Sequence, residues 1–210
     1  MAPPRNTRRR DQLADAAIEI LGTAGIHKLS HRSVDERAGL PHGTASNYFA
    51  RREDLLTAAA ARVAELHVAG MAAADREVTG PAGPDQLAEL IGADLLASAT
   101  QHRTRYLAVY ELTLEATRQP ALAGAMAQLG LAALESTVAE HRALGLPTTP
   151  EQVQALMTLF GGTLLTLVTG PPAAITPQAT LALARYMVRG VLGGESPNLR
   201  SPHDQPGPGR

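Results

Sequence analysis

The sequence predicts an all-α fold, and three observations carry that expectation. No stretch shows sustained polar–apolar alternation with β-branched residues, so nothing reads as a strand. Alanine and leucine dominate the apolar positions and recur at helical spacing. Glycine and proline, 19 and 15 of the 210 residues, cluster at points that cut the chain into helix-sized lengths.

A first helix is expected over 8–22, with Leu13, Ala17, Ile20 and Leu21 on one face. Gly22 and Gly25 then allow a stop and a turn. Two short helices follow over 31–38 and 42–49, and a longer one runs from 51 to about 78. The segment TGPAGP at 79–84 is the clearest break. Beyond it, helices are expected over 85–100, 103–118, 121–144, 151–169 and 178–192, separated by GLPTTP at 145–150 and GPPAAITP at 170–177. The tail at 193–210 is rich in Pro and Gly, poor in apolar residues, and expected to be disordered. This organisation gives a head at 1–50, a connecting helix at 51–79 and a second helical domain at 80–192.

Composition narrows the function classes. With no cysteine, disulfides, thiolate metal sites and cysteine nucleophiles are excluded. The basic start MAPPRNTRRR is followed by an acidic amphipathic stretch rather than an apolar one, so export is not expected and a cytoplasmic protein is. The apolar run at 159–168 is too short to span a bilayer and contains two glycines, so no membrane partner is expected. The seven histidines form no HExxH pattern; neither a metal nor another cofactor is expected. Charge is uneven: residues 1–52 carry nine Lys and Arg against five Asp and Glu, net +4, and residues 53–210 carry ten against fifteen, net −5. A basic first quarter on an acidic body points to a local polyanion-binding surface.

The informative segment is SHRSVDERAGLPHGTASNYFARREDLL at 30–56. Ser30 can cap a short helix that turns Val34, Ala38 and the stem of Arg37 inward. Gly39 can take the left-handed conformation that ends it, Leu40 plugs the turn, and Pro41 presets entry to a second short helix. That helix offers Thr44, Ser46, Asn47 and Tyr48, carries no carboxylate, and leaves Ala45 and Phe49 for packing. Two short helices joined by a tight glycine turn make a helix-turn-helix. Hydroxyls and backbone N–H groups suit phosphate oxygens, and an asparagine amide suits adenine in the major groove. Arg51 and Arg52 open the next helix, where cations and free N–H groups can face phosphate together.

In order and spacing, Ser30, Arg32, Val34, Ala38, Gly39, Leu40, Gly43, Thr44, Tyr48, Phe49, Arg52, Leu55 and Leu56 resemble the helix-turn-helix of the TetR family of bacterial transcription regulators. The preceding AAIEILGTAG at 16–25 resembles that family's first helix. Asp35, His42 and Ser46 depart from the usual Ala, Lys and Tyr, and Asp35 changes the contact between the two short helices. Reading and resemblance together select Arg32, Ser33, His42, Gly43, Thr44, Ser46, Asn47, Tyr48 and Arg52 as the DNA-binding residues. The resemblance implies a repressor that binds a double-stranded operator as a homodimer, pairs through its last two helices, and is released by a small-molecule effector.

The remaining features leave alternatives open. Arg5, Arg8, Arg9 and Arg10 suit either a DNA-touching arm or a solvated tail. Gly161 and Gly162, inside an apolar helix, suit a close helix approach at a subunit interface, room for a ligand, or plain tolerance. Tyr106, Tyr110, Met126, Leu129, Met157 and Phe160 fit an interhelical pocket for a modest-sized, largely apolar effector, or simply core. Two rival functions are a helical enzyme, for which no nucleophile–base pair, paired carboxylates or phosphate loop can be picked out, and a DNA-compacting protein indifferent to sequence.

Overall fold

The computed structural model describes residues 4–73 and 83–193. Among them are nine α-helices, two 3₁₀ turns and no strand. The helices are α1 (Pro4–Ala24), α2 (His31–Ala38), α3 (Thr44–Tyr48), α4 (Arg52–Ala73), α5 (Pro84–Ala99), α6 (Arg103–Ala116), α7 (Pro120–Ala143), α8 (Pro150–Thr169) and α9 (Pro177–Leu192). The break at 79–82, the last part of the connecting helix, the tail at 194–210 and the side chains of Arg5 and Met71 lie outside the described residues.

Prolines that read as breaks are helix starts. Pro84, Pro120, Pro150 and Pro177 each occupy the first turn of a helix, where the missing N–H costs nothing and the fixed φ is already helical. Thr149 and Thr176 cap α8 and α9, accepting the N–H groups of Gln152 at 3.3 Å and Ala179 at 3.2 Å. Glycine ends α1 differently from the expectation. Gly22 lies inside the helix, and Gly25, at φ +81°, makes the stop.

Two apolar clusters hold the molecule together. The first joins Leu13, Ala17 and Leu21 of α1 to Val34, Ala45, Phe49, Leu55 and Leu56, and draws in Ala108 and Leu112 of α6 and Leu122 of α7. The second packs Leu87 and Leu95 of α5 against Leu164 and Val168 of α8 and Ala184 and Val188 of α9. Helix α6 serves both, because Tyr106, Leu107 and Tyr110 on another part of its surface pack on the second cluster.

The expected shortness of the apolar segments needs correction. By length and composition alone, α7 and α8, 24 and 20 residues long and each with an 18-residue stretch of mean hydropathy 1.3, could cross a bilayer. The 159–168 run is only part of α8, which extends it at both ends. Helix α8 lays Val153, Leu156, Leu164, Leu167 and Val168 into the interior, as core helices of water-soluble folds also do.

Candidate nucleic-acid interface and ligand cavity

The helix-turn-helix is held by side chains that cap its short helices. Ser30 Oγ accepts the Ser33 N–H at 3.1 Å while Ser33 Oγ accepts the Ser30 N–H at 2.9 Å, a reciprocal cap for α2. At the far end Gly39, φ +66°, ends α2 in the left-handed region, and Gln12 of α1 donates to the Ala38 carbonyl at 2.9 Å. Asp35 does what the sequence left unresolved. Its carboxylate, 1% exposed, accepts the N–H of Gly43 at 2.8 Å and of Ala45 at 2.7 Å. An acid on α2 thereby caps α3, whose five residues could not hold themselves helical. His31 Nε2 sits 2.8 Å from the Phe49 carbonyl oxygen and ties the start of α2 to the end of α3. Arg10 stacks over the Phe49 ring at 4.8 Å, so this arginine of the N-terminal run is part of a helix that braces the head.

Of the residues selected from the sequence, Arg32, His42, Gly43, Ser46 and Asn47 are exposed, and Thr44 and Tyr48 are half-buried. Thr44 Oγ1 donates to the Pro41 carbonyl at 2.6 Å and Ser46 Oγ to the Gly43 carbonyl at 3.0 Å; both hydroxyl oxygens keep acceptor capacity. Arg32 pairs with Glu36 at 2.9 Å on the solvent side.

Three expected placements are corrected. Arg52 faces inward: its Nε donates to the Leu29 carbonyl at 3.1 Å and an Nη to the Ile26 carbonyl at 2.6 Å. It fastens the start of α4 to the turn before α2, and the exposed cation beside it is Arg51, loosely paired with Asp54 at 3.6 Å. Ser33 is half-buried and its hydroxyl, besides capping α2, donates to the Lys28 carbonyl at 2.8 Å. Arg37 does not turn inward but pairs on the surface with Glu19 of α1 at 2.8 Å.

A cavity of about 450 Å³ opens among α4, α5, α6, α7 and α8. Tyr106, Leu129, Met157 and Phe160 line it, as do Leu90, Ile91 and Leu156. Tyr110 and Met126 do not. The Tyr110 hydroxyl bridges to α8 by donating to the Gly161 carbonyl at 2.7 Å, and burial, with Tyr106 nearby, pushes this phenol up to about 12, so it remains a donor. Met126 sits on the side of α7 that packs against the first cluster. The cavity wall also includes polar groups that the sequence reading passed over: His67, Asp94, His102, Arg105, Glu140 and His141. They are spread over four helices, and no local spacing brings them together.

Helix α6 connects this cavity to the head. Its His102 N-cap, Arg105, Tyr106 and Val109 are in the cavity wall. Within the same first turn, Gly22 of α1 crosses α6 so closely that a Cβ there would stand 2.0 Å from the Thr104 carbonyl oxygen. Further along α6, Glu111 Oε2 accepts the Ile26 N–H at 3.2 Å, just after α1 ends.

The profile described as "Tetracyclin repressor-like, C-terminal domain" matches residues 82–194, more than half of the chain. The chain belongs to the TetR family. A TetR-family member from Streptomyces coelicolor A3 is 30% identical, with a TM-score of 0.63 over 85% of this chain and 97% of that one. The multidrug binding protein EbrR, solved with ethidium, is 29% identical, with a TM-score of 0.64 over 85% of this chain and 98% of that one. A transcriptional regulator of Streptomyces coelicolor A3(2) shares the fold at 22% identity and a TM-score of 0.66, covering 88% and 98% of the two chains. No curated protein matches the sequence. This TetR-family chain is thus a transcriptional regulator by kind. Leu159 and Leu165 of α8 are 44% and 42% exposed, and Tyr186 of α9 is 74% exposed. Among the described residues, Gly161 and Gly162 meet no neighbouring atom that an added Cβ would touch, so a close approach among those residues does not explain them.

Proposed function

We propose that the protein is a ligand-responsive repressor, cytoplasmic and without catalytic activity, that binds operator DNA as a homodimer and leaves it when a small molecule enters the cavity. Residues 1–50 read DNA, 51–79 connect, and 80–192 sense and dimerise. The observation that carries the reading is that one helix, α6, both lines the cavity and crosses α1 of the head without room for a side chain at Gly22. A ligand that moves α6 therefore moves the head. The relevant motion is small, because packed elements shift between discrete arrangements rather than deform.

For reading DNA, the exposed face of α3 offers Asn47 to base edges, with Ser46, Thr44, Tyr48 and the exposed Arg32, His42 and Arg51 near the backbone. One short helix covers few base pairs, so two heads on half-sites about 34–36 Å apart are needed. The exposed Leu159, Leu165 and Tyr186 support pairing through α8 and α9. EbrR, which binds ethidium, supports a cavity that takes a small ligand.

Selection from random duplex DNA tests the reading. Enrichment of a palindrome with half-sites one helical turn apart is the expected result. No enrichment over the starting pool, with tight binding to all sequences, would establish the DNA-compacting alternative.

A further inference from the structure

We propose that the cavity takes an amphipathic carboxylate, its acid group held by Arg105 and its apolar body lying along α8. This rests on the repressor reading above for its consequence, but the charge preference can be measured without DNA.

Among the described residues that line the cavity, Arg105 is the one arginine. Arg105 is half-buried in the cavity wall. Its interactions are one long hydrogen bond to the Leu66 carbonyl, 3.5 Å, and its own stacking over the Tyr106 ring at 5.6 Å. Among the described residues no carboxylate lies within ion-pairing distance of it. A guanidinium has five N–H donors in a planar fork that matches a carboxylate, so most of its capacity is open. His102 stands close enough to feel it: burial, then the positive charge of Arg105, lowers the His102 imidazole from its usual range. A neutral imidazole can add one hydrogen bond to an acid group while Arg105 supplies the charge.

The acids nearby have partners already. Asp94 and Glu140, like His67 and His141, are each engaged within the protein. Asp15 and Glu19, in the adjoining cleft that Arg105 and His102 also border, pair with Arg62 and Arg37 at 2.8 Å each. Arg105 itself lies over one face of the Tyr106 ring, a face on which a cation could otherwise stack. Away from this corner the wall is apolar, with Leu90, Ile91, Leu129, Leu156, Met157 and Phe160. Val153 and Phe160 both line it, and seven residues of helix span about 10 Å. The ethidium and proflavin bound by EbrR are that protein's ligands; the chemistry here selects the opposite sign.

The test is calorimetric titration of the full-length protein with decanoate, decanol and decyltrimethylammonium, each as monomer in solution. Decanoate should bind at least tenfold tighter than decanol, and the ammonium compound more weakly than decanol. Arg105→Ala should bring decanoate down to the decanol affinity while decanol itself still binds; Arg105→Lys should keep part of the preference. Equal affinities in the wild type, tightest binding by the ammonium compound, or binding of none of the three overturns the proposal. So does an Arg105→Ala protein that loses decanol as fully as decanoate, because Arg105 would then shape the cavity rather than hold the acid. Decanoate that binds through Arg105 but leaves operator DNA bound keeps the proposal and removes the induction reading.

Discussion

Asp35 is where a single side chain decides whether α3 is presented at all. Its two oxygens each accept one backbone N–H, from Gly43 and Ala45, in a place water does not reach. Asparagine has one acceptor oxygen and would leave one of the two N–H groups facing an amide donor. Asp35→Asn should therefore destabilise the head by about 1–3 kcal/mol, read as a drop in urea midpoint, and weaken operator binding through α3 rather than through any DNA contact. Arg51 and Arg52 separate by the same logic. Arg52→Ala should lower thermal stability while leaving the salt slope of DNA binding unchanged. Arg51→Ala should lower that slope by about one per half-site and leave stability alone. The resemblance singles out Arg52, but which of the two arginines turns inward depends on where the Ile26 and Leu29 carbonyls lie. Asp35 was legible as unusual, but its role was not: its partners are eight and ten residues away, across a turn.

At the scale of elements, the helix count and most boundaries follow from sequence because glycine and proline act locally; the four prolines at helix starts shift the expected beginnings by a single residue. Helix crossings do not follow. Contiguity with head and second domain alike would make the connecting helix the natural route for coupling. That helix does border the cavity through Val63 and His67, but it is where α1 crosses α6 that Gly22 leaves no room for a side chain. Gly22 looked like a stop signal, and a glycine required by a crossing carries the same letter. Gly22→Ala must push α1 and α6 apart or expel the added methyl, because the group it would meet is backbone. We expect a loss of about 1–3 kcal/mol in chemical denaturation. A variant as stable as the wild type would mean that the two helices are not in firm contact in solution.

For the whole molecule, side-chain exposure decides which residues can test the proposed dimerisation. Leu164, which the apolar run of α8 makes an obvious choice, is 1% exposed and belongs to the second core cluster, and Leu183 is half-buried against it. A charge at either would test folding. Leu165→Glu falls on a surface already 42% exposed, so it should leave helicity intact and produce monomers in sedimentation, with loss of specific DNA binding. Leu165→Glu protein that still sediments as a dimer would move the interface elsewhere. Exposure of neighbouring residues on one apolar helix is a tertiary property; periodicity marks α8 as apolar nearly all round and cannot say which side its own chain covers.

The central claim is that DNA and ligand compete through one connected structure, and linkage makes it measurable. If a ligand lowers operator affinity by some factor, operator must lower ligand affinity by the same factor. The measurement is the affinity for decanoate of the free dimer and of the dimer saturated with its selected operator, under one buffer. The account predicts weaker binding to the complex by tenfold or more, which is about 1.4 kcal/mol of coupling. Equal affinity for the free and operator-bound protein would contradict it.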